Sequence, residues 1–315
     1  MNRQRKIVRR VIWTLTIGFI LMNTVAFFHA YKFTHFVTEK VAKTKSPEKL
    51  NSFDKFKTLL FGVNNPRPTN KEKPDRYKTV KLQSNKKIDC WYLEGTDSSK
   101  GTVILFHGYS GEKSSMLDKA EEFEKLNYNV LLVDFMGSGG SEGNQTTLGY
   151  KEAEEVKTTF DYLTHKGEKN IYLFGTSMGS VAIMKAISDY DLKPKGIIIE
   201  CPFGSMYQTT CARFKIMNAP TFPMAGLLVF WGGFQNNFWA LGHNPTEYAK
   251  KINCPTLLLY GEKDKNVSRQ EIDEIYKNLN GTKELKTYEL AGHENYLLKY
   301  KEQWTKDINE FLTPK

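Results

Sequence analysis

Asn170-Ile171-Tyr172-Leu173-Phe174-Gly175-Thr176-Ser177-Met178-Gly179 is the stretch on which the reading of this chain turns. It opens as an apolar run of strand type. It then passes through Gly-Thr-Ser-Met-Gly into Val181, Ala182, Ile183, Met184, Ala186 and Ile187, a composition that suits a buried helix. Strand, G-x-S-x-G, helix is the nucleophile-elbow pattern. A turn this sharp forces its serine into strained dihedrals and brings the neighbouring backbone very close, so the flanking positions must lack a Cβ. The strain lifts the Ser177 hydroxyl to the top of a sheet, at a helix N-terminus that favours negative charge. The bland alternative is a strand-to-helix turn whose serine merely caps the helix.

Outward from the elbow, a βα rhythm fills the chain from Tyr77 on. Tyr77–Gln83 and Ile88–Leu93 read as a hairpin around the polar Ser84-Asn85-Lys86-Lys87. Thr102–Phe106, Asn129–Val133, Ile171–Phe174, Gly196–Ile199, Thr256–Tyr260 and Leu285–Leu290 are short apolar runs that fit a buried, mostly parallel sheet. Helical patterns separate them at Ser115–Leu126, Tyr150–His165, the elbow helix, Arg269–Leu279 and Tyr296–Leu312. The alternation predicts a doubly wound α/β domain of eight strands over residues 77–315. The rhythm breaks once, from Cys201 to Pro255. That length is too great for a plain crossover and predicts a cap at about 201–255, inserted after the sixth strand. The cap's middle is rich in Phe, Trp and Leu. It reads either as the cap's own core or as a greasy wall fitted to an acyl chain.

A serine hydroxyl needs a base, and the base needs an orienting acid. Of six histidines, His29, His35, His165 and His243 fall in the apolar segment, the linker, a helix end and the cap. His293, in Ala291-Gly292-His293-Glu294-Asn295 between the last strand and the last helix, is where a base can swing over Ser177. His107 reads as a loop stabiliser rather than a base. Three acids follow strand ends: Asp264, Glu200 and Asp134. A Gly turn before Asp264 favours it, and Asp134 reads as the brace of its own glycine-rich loop. Amides of Met178 and Tyr109 are placed to hold an oxyanion. His107, Phe203, Phe230 and Trp231 are expected along the substrate-binding wall. No metal or organic cofactor is called for.

Several of these motifs together carry a resemblance. His107-Gly108, Asp134 with Gly137, Gly139 and Ser141-Glu142-Gly143, Gly175-Thr176-Ser177-Met178-Gly179, Gly261-Glu262-Lys263-Asp264, and Gly292-His293 occur in order. From about Gly101 to Phe311 the chain resembles the α/β-hydrolase superfamily, and within it the serine aminopeptidase S33, or hydrolase-4, branch, which is monoacylglycerol-lipase- and lysophospholipase-like. The resemblance implies an α/β-hydrolase fold, a Ser177–Asp264–His293 triad and a Tyr109/Met178 oxyanion hole. One departure is Met136, where many relatives carry arginine. The function implied is a serine hydrolase cleaving carboxylic esters, with lipophilic acyl esters favoured by the cap. The alternatives are an aminopeptidase-like peptidase, which needs an acid in the cap to hold an amine, and a non-catalytic scaffold that binds a partner.

Charge and hydropathy place the rest. The chain has 315 residues, a net charge of +10, and 40% hydrophobic residues, enough for a substantial core. Five of the excess cations, Arg3, Arg5, Lys6, Arg9 and Arg10, stand in the first ten residues. No basic stripe interleaved with aromatics follows, which argues against a nucleic-acid partner. Val11 to Ala30 carries no Lys, Arg, Asp or Glu. About 20 apolar residues span a bilayer, and the basic cluster before them predicts a cytoplasmic N-terminus and a catalytic domain on the periplasmic or extracellular side. Residues 1–35 are thus expected to be a membrane anchor and 36–76 a juxtamembrane helix and linker. A signal peptide cleaved at Thr24-Val25-Ala26, or less well at Phe28-His29-Ala30, is the rival. Cys90, Cys201, Cys211 and Cys254 lack zinc-site spacing. Cys201 and Cys211 could bridge, though buried free thiols are the simpler reading.

Overall fold

The structure, a computed structural model, describes residues 3–39, 41–45, 47–95 and 98–313. Its centre is one eight-stranded sheet. The strands are β1 (Lys78–Gln83), β2 (Lys87–Leu93), β3 (Thr102–Phe106), β4 (Asn129–Asp134), β5 (Ile171–Thr176), β6 (Gly196–Glu200), β7 (Thr256–Gly261) and β8 (Lys283–Tyr288). Their spatial order is β1-β2-β4-β3-β5-β6-β7-β8. The hairpin pairs antiparallel with itself and with β4, and the remaining neighbours are parallel. β3, β6 and β7 are buried at every position, because helices cover both faces and leave no polar side for alternation.

The helices are α1 (Arg3–Thr34), α2 (Ser52–Phe61), α3 (Leu117–Lys125), α4 (Glu152–His165), α5 (Met178–Tyr190), α6 (Met206–Ile216), α7 (Met224–Gln235), α8 (Pro245–Tyr248), α9 (Arg269–Asn278), α10 (Tyr296–Lys299) and α11 (Lys301–Leu312). α5 packs beside α4 on one face of the sheet, in a core with Ile104, Leu131, Leu173 and Ile199. On the other face Phe123, Phe174 and Trp304 meet edge to face.

Most expected boundaries shift by a residue or two, and two shifts bear on the site. β8 ends at Tyr288, not Leu290, because Ala291 N donates back to Tyr288 O and turns the chain, leaving Leu290 exposed. The expected last helix is broken at Tyr300, whose φ of −132° is not helical. Its hydroxyl accepts from Leu290 N at 2.8 Å and its ring packs against Tyr288, so the break fixes the loop that carries His293.

The segment between β6 and β7 folds as α6, α7, α8 and short 3-10 turns. α7 has no charged residue and lies against the C-terminal part of α1. Trp231 Nε1 donates to Asn23 Oδ1 at 3.1 Å, Gln235 Nε2 donates to Phe27 O at 2.8 Å, and the Phe27 and Trp231 rings meet edge to face. Ala26 and Ala30 are buried in this contact, whereas Ile7 to Leu21 present their large apolar side chains outward. α2 reaches the same end of α1, with Lys32 Nζ donating to Phe61 O at 2.7 Å. α1 is 32 residues long, about 48 Å at 1.5 Å per residue, and its 31-residue span Gln4–Thr34 is long and apolar enough to cross a membrane.

Candidate active site

β5 delivers Ser177 directly into α5. Ser177 has φ 52° and ψ −109°, a strained combination for a residue with a Cβ. The flanking glycines make it attainable. A Cβ on Gly175 would stand 2.5 Å from the Gly179 carbonyl carbon, and one on Gly179 would stand 2.3 Å from Phe106 O. The elbow is therefore wedged between α5 and the end of β3, where no side chain fits.

Three expected residues converge there. His293 Nε2 lies 3.0 Å from Ser177 Oγ, and His293 Nδ1 lies 2.7 Å from Asp264 Oδ2. Asp264 follows β7 through the Gly261 turn, and its other oxygen, Oδ1, accepts from Asn266 N at 2.7 Å and Val267 N at 3.0 Å. Burial works against a charged His293, but the Cys201 thiol and the Asp264 carboxylate beside it raise its pKa well above the ordinary 6.5. Cys201 Sγ, an Asp264 oxygen and a His293 ring nitrogen lie within 4.8 Å of one another. Those atoms could ligate a soft divalent ion.

The rival acids are committed elsewhere. Glu200 is fully buried, with Oε1 accepting from Trp304 Nε1 at 2.8 Å and Oε2 from Thr176 Oγ1 at 2.9 Å. Asp134 pairs with Lys113 Nζ at 2.6 Å and accepts from Lys113 N, Asn70 Nδ2 and Gly140 N. Burial raises the Asp134 pKa, but Lys113 outweighs it and holds the carboxyl below the usual range. Met136 is buried, and the carbonyls of Gly139, Ser141 and Gly143 are held by Arg67 from the linker.

The expected substrate wall divides. Phe203 lines the cleft at Ser177. His107 does not. It is fully buried, Nδ1 donates to Gly108 O at 2.8 Å, and Nε2 accepts from Phe135 N at 3.1 Å, so both nitrogens are spent on the loop. Phe230 and Trp231 are also corrected. They sit on α7, where Trp231 packs on α1 and Phe230 is 40% exposed. An apolar helix covers whatever apolar surface adjoins it, and here that is α1. The four cysteines, Cys201 and Cys211 included, are free.

Residues that the sequence did not single out complete the cleft: Leu148, Thr209, Arg213, Asn266 and Val267. α1 also reaches it. The Phe33 ring stacks on Tyr109 at 4.6 Å, and the Tyr109 hydroxyl donates to Phe33 O at 2.7 Å while accepting from Asn65 Nδ2 at 2.7 Å. One signal was available for Arg213, the first cation after β6. Nothing local marks Phe33 as a partner of Tyr109.

The description "Serine aminopeptidase, S33" (Hydrolase_4) belongs to the family that matches residues 97–228, which takes in the elbow and the first half of the cap. The Pyrococcus furiosus esterase Pf2001 superposes with a TM-score of 0.66 at 26% identity, over 79% of this chain and 96% of that one. The chain has the α/β-hydrolase fold, and its residues 97–228 match the S33 branch. This α/β-hydrolase is also 25% identical to Bacillus subtilis YqkD, an uncharacterized protein, over 70% of this chain and 74% of the relative. It is 25% identical to the Danio rerio lysophosphatidylserine lipase ABHD12 over 61% of this chain. The match spans only 52% of that lipase, about half its length.

Proposed function

We propose that this α/β-hydrolase is a membrane-anchored serine hydrolase that cleaves lipophilic carboxylic esters through an acyl-enzyme. His293 takes the proton of Ser177, whose Oγ attacks the ester carbonyl. The Tyr109 and Met178 amides receive the oxyanion, the alcohol leaves with the proton from His293, and water repeats the sequence to free the acid. The observation that carries the reading is the pair of contacts at 3.0 and 2.7 Å linking Ser177, His293 and Asp264 at a strained elbow. Esterase and lysophosphatidylserine-lipase relatives support the ester class.

An aminopeptidase is less well supported. Among the described residues the cleft lining holds no acid and does hold Arg213, which would repel a substrate ammonium group. A fluorophosphonate probe that labels the protein but not Ser177→Ala supports an enzyme, and an unlabelled native protein supports the scaffold reading. Comparing p-nitrophenyl esters of rising chain length with aminoacyl anilides separates esterase from peptidase.

The anchor reading assigns residues 1–35 to the membrane segment, 36–76 to the linker and 77–315 to the hydrolase domain, with the N-terminus cytoplasmic. The exposed aromatics Phe53, Phe56 and Phe61 of α2, with Phe222, Phe234 and Trp239 of the cap, support an interfacial position for the face beside α1. Phosphatidylglycerol vesicles that float with the full-length protein, and resist stripping by carbonate, are the expected result.

A further inference from the structure

Helix α6 brings one cation to the cleft. Arg213 lines it together with Tyr109, Ser177 and His293. Its guanidinium carbon lies 4.7 Å from the centroid of the Phe33 ring and 5.5 Å from that of Tyr109. Such stacking occupies the flat face of a guanidinium. The five N–H donors lie in its plane and still need acceptors. Among the described residues none accepts from them, and no carboxylate reaches ion-pair distance. Glu48, whose field favours the charge, sits on an exposed turn where its Oε1 accepts from Asn266 Nδ2. The Tyr109 hydroxyl, already donating to Phe33 O and accepting from Asn65, offers little. Arg213 is half-buried, so its charge is partly withdrawn from water with its donors unmet by protein, and an arriving oxyanion can take those donors. The remaining lining, Leu148, Phe203, Thr209 and Val267, is apolar or neutral and would not compete for it.

We infer that Arg213 is an anion-binding group of the cleft, and that the ester cleaved at Ser177 carries a phosphate or carboxylate near its scissile carbonyl. This inference rests on the serine-hydrolase reading and narrows its substrate class. A phosphate would come from the glycerol side, as in a lysophospholipid, and a carboxylate from the end of a short acyl chain.

The test uses full-length protein in mixed micelles, with 1-oleoyl-lysophosphatidylglycerol against 1-oleoylglycerol, and p-nitrophenyl hemiadipate against p-nitrophenyl butyrate. The quantity read is the anionic-to-neutral ratio of kcat/KM. Arg213→Gln should lower that ratio at least tenfold in one pair, and the pair affected identifies the source of the anion. Arg213→Lys should restore part of it. Equal falls on both members of each pair would make Arg213 only a clamp between α6, Tyr109 and α1, and the inference would be lost. Should Arg213→Gln fail to fold, the wild type answers alone. A non-hydrolysable ether lysophosphatidylglycerol should protect Ser177 from fluorophosphonate at least tenfold better than the neutral ether glycerol, and equal protection overturns the inference. A wild type that never labels at Ser177 defeats the hydrolase reading instead, a result distinct from labelling without anionic preference.

Discussion

Replacing Asp264 by asparagine tests the proposed relay at its least replaceable atom. Asp264 Oδ1 accepts from two backbone amides, Asn266 N and Val267 N, at 2.7 and 3.0 Å, and Oδ2 faces His293 Nδ1 at 2.7 Å. An asparagine must keep its oxygen on the two amides, because turning it would set its NH2 against both. The NH2 then points at His293 Nδ1, which can accept only by giving up its proton. The proton moves to Nε2, and the atom facing Ser177 Oγ at 3.0 Å becomes a donor that cannot take the serine proton. Fixing the wrong tautomer in such a triad costs about 10⁴ in kcat, or about 5 kcal/mol at 1.36 kcal/mol per decade. The pH profile gives a second readout. A base must be neutral, and the His293 pKa is raised well above 6.5, so kcat/KM should climb with pH along a limb lying above 6.5. Removing the carboxylate withdraws support from the imidazolium, so the residual limb in Asp264→Asn should move to lower pH. The assay is p-nitrophenyl butyrate hydrolysis from pH 5 to 10, with circular dichroism to establish folding. A folded Asp264→Asn within tenfold of wild type would refute the assignment, above all if Glu200→Gln were inactive.

Three further outcomes are expected. Phe33→Ala removes the ring stacked on Tyr109, an aromatic contact worth about 1 kcal/mol, and should lower kcat several-fold while Ser177 still labels; unchanged kcat would show that α1 does not steady the Tyr109 loop. Gly175→Ala forces a Cβ to within 2.5 Å of backbone and should cost about 3 kcal/mol in urea unfolding, with a native-like midpoint counting against the packed elbow. Lys113→Met strands the buried Asp134, which Lys113 meets at 2.6 Å, and should destabilise by about 3–5 kcal/mol by the same measurement; a stability loss below 1 kcal/mol would mean the pair is dispensable.

The sheet and the elbow were legible because their signals are local. A run such as Thr102–Phe106 is apolar at every position, and the G-x-S-x-G glycines answer to steric limits within one turn of chain. His293 and Asp264 were legible because strand ends and loop order follow from the βα rhythm. The cap was not. Its aromatics announce burial but not the partner, and the partner proved to be α1, about 200 residues away in sequence. Arg213 and Thr209 shared that fate, since which face of α6 overlooks Ser177 depends on how the cap settles. The place of His107 on the wall failed for a smaller reason: its two nitrogens find backbone partners within its own loop and in β4's extension at Phe135.

The packing of α1 also bears on where this chain tolerates cutting. Deleting residues 1–35 looks harmless if they are only an anchor, yet it would remove Asn23 and Phe27 from α7, Phe33 from Tyr109, and the carbonyl that accepts from the Tyr109 hydroxyl. Signal cleavage after Ala26 would cut through the same contact, at a side chain with no exposed surface. A deletion of residues 1–21 instead spares every one of these contacts and removes the outward-facing part of the helix. The 1–21 deletion should therefore stay monomeric in mild detergent and keep wild-type kcat on p-nitrophenyl butyrate. The 1–35 deletion should aggregate or lose at least tenfold, because α7 would be left with an uncovered apolar face. Size-exclusion chromatography and the esterase assay read both. A soluble, fully active 1–35 deletion would mean that α1 rests on the cap without supporting it, and would favour the removable leader.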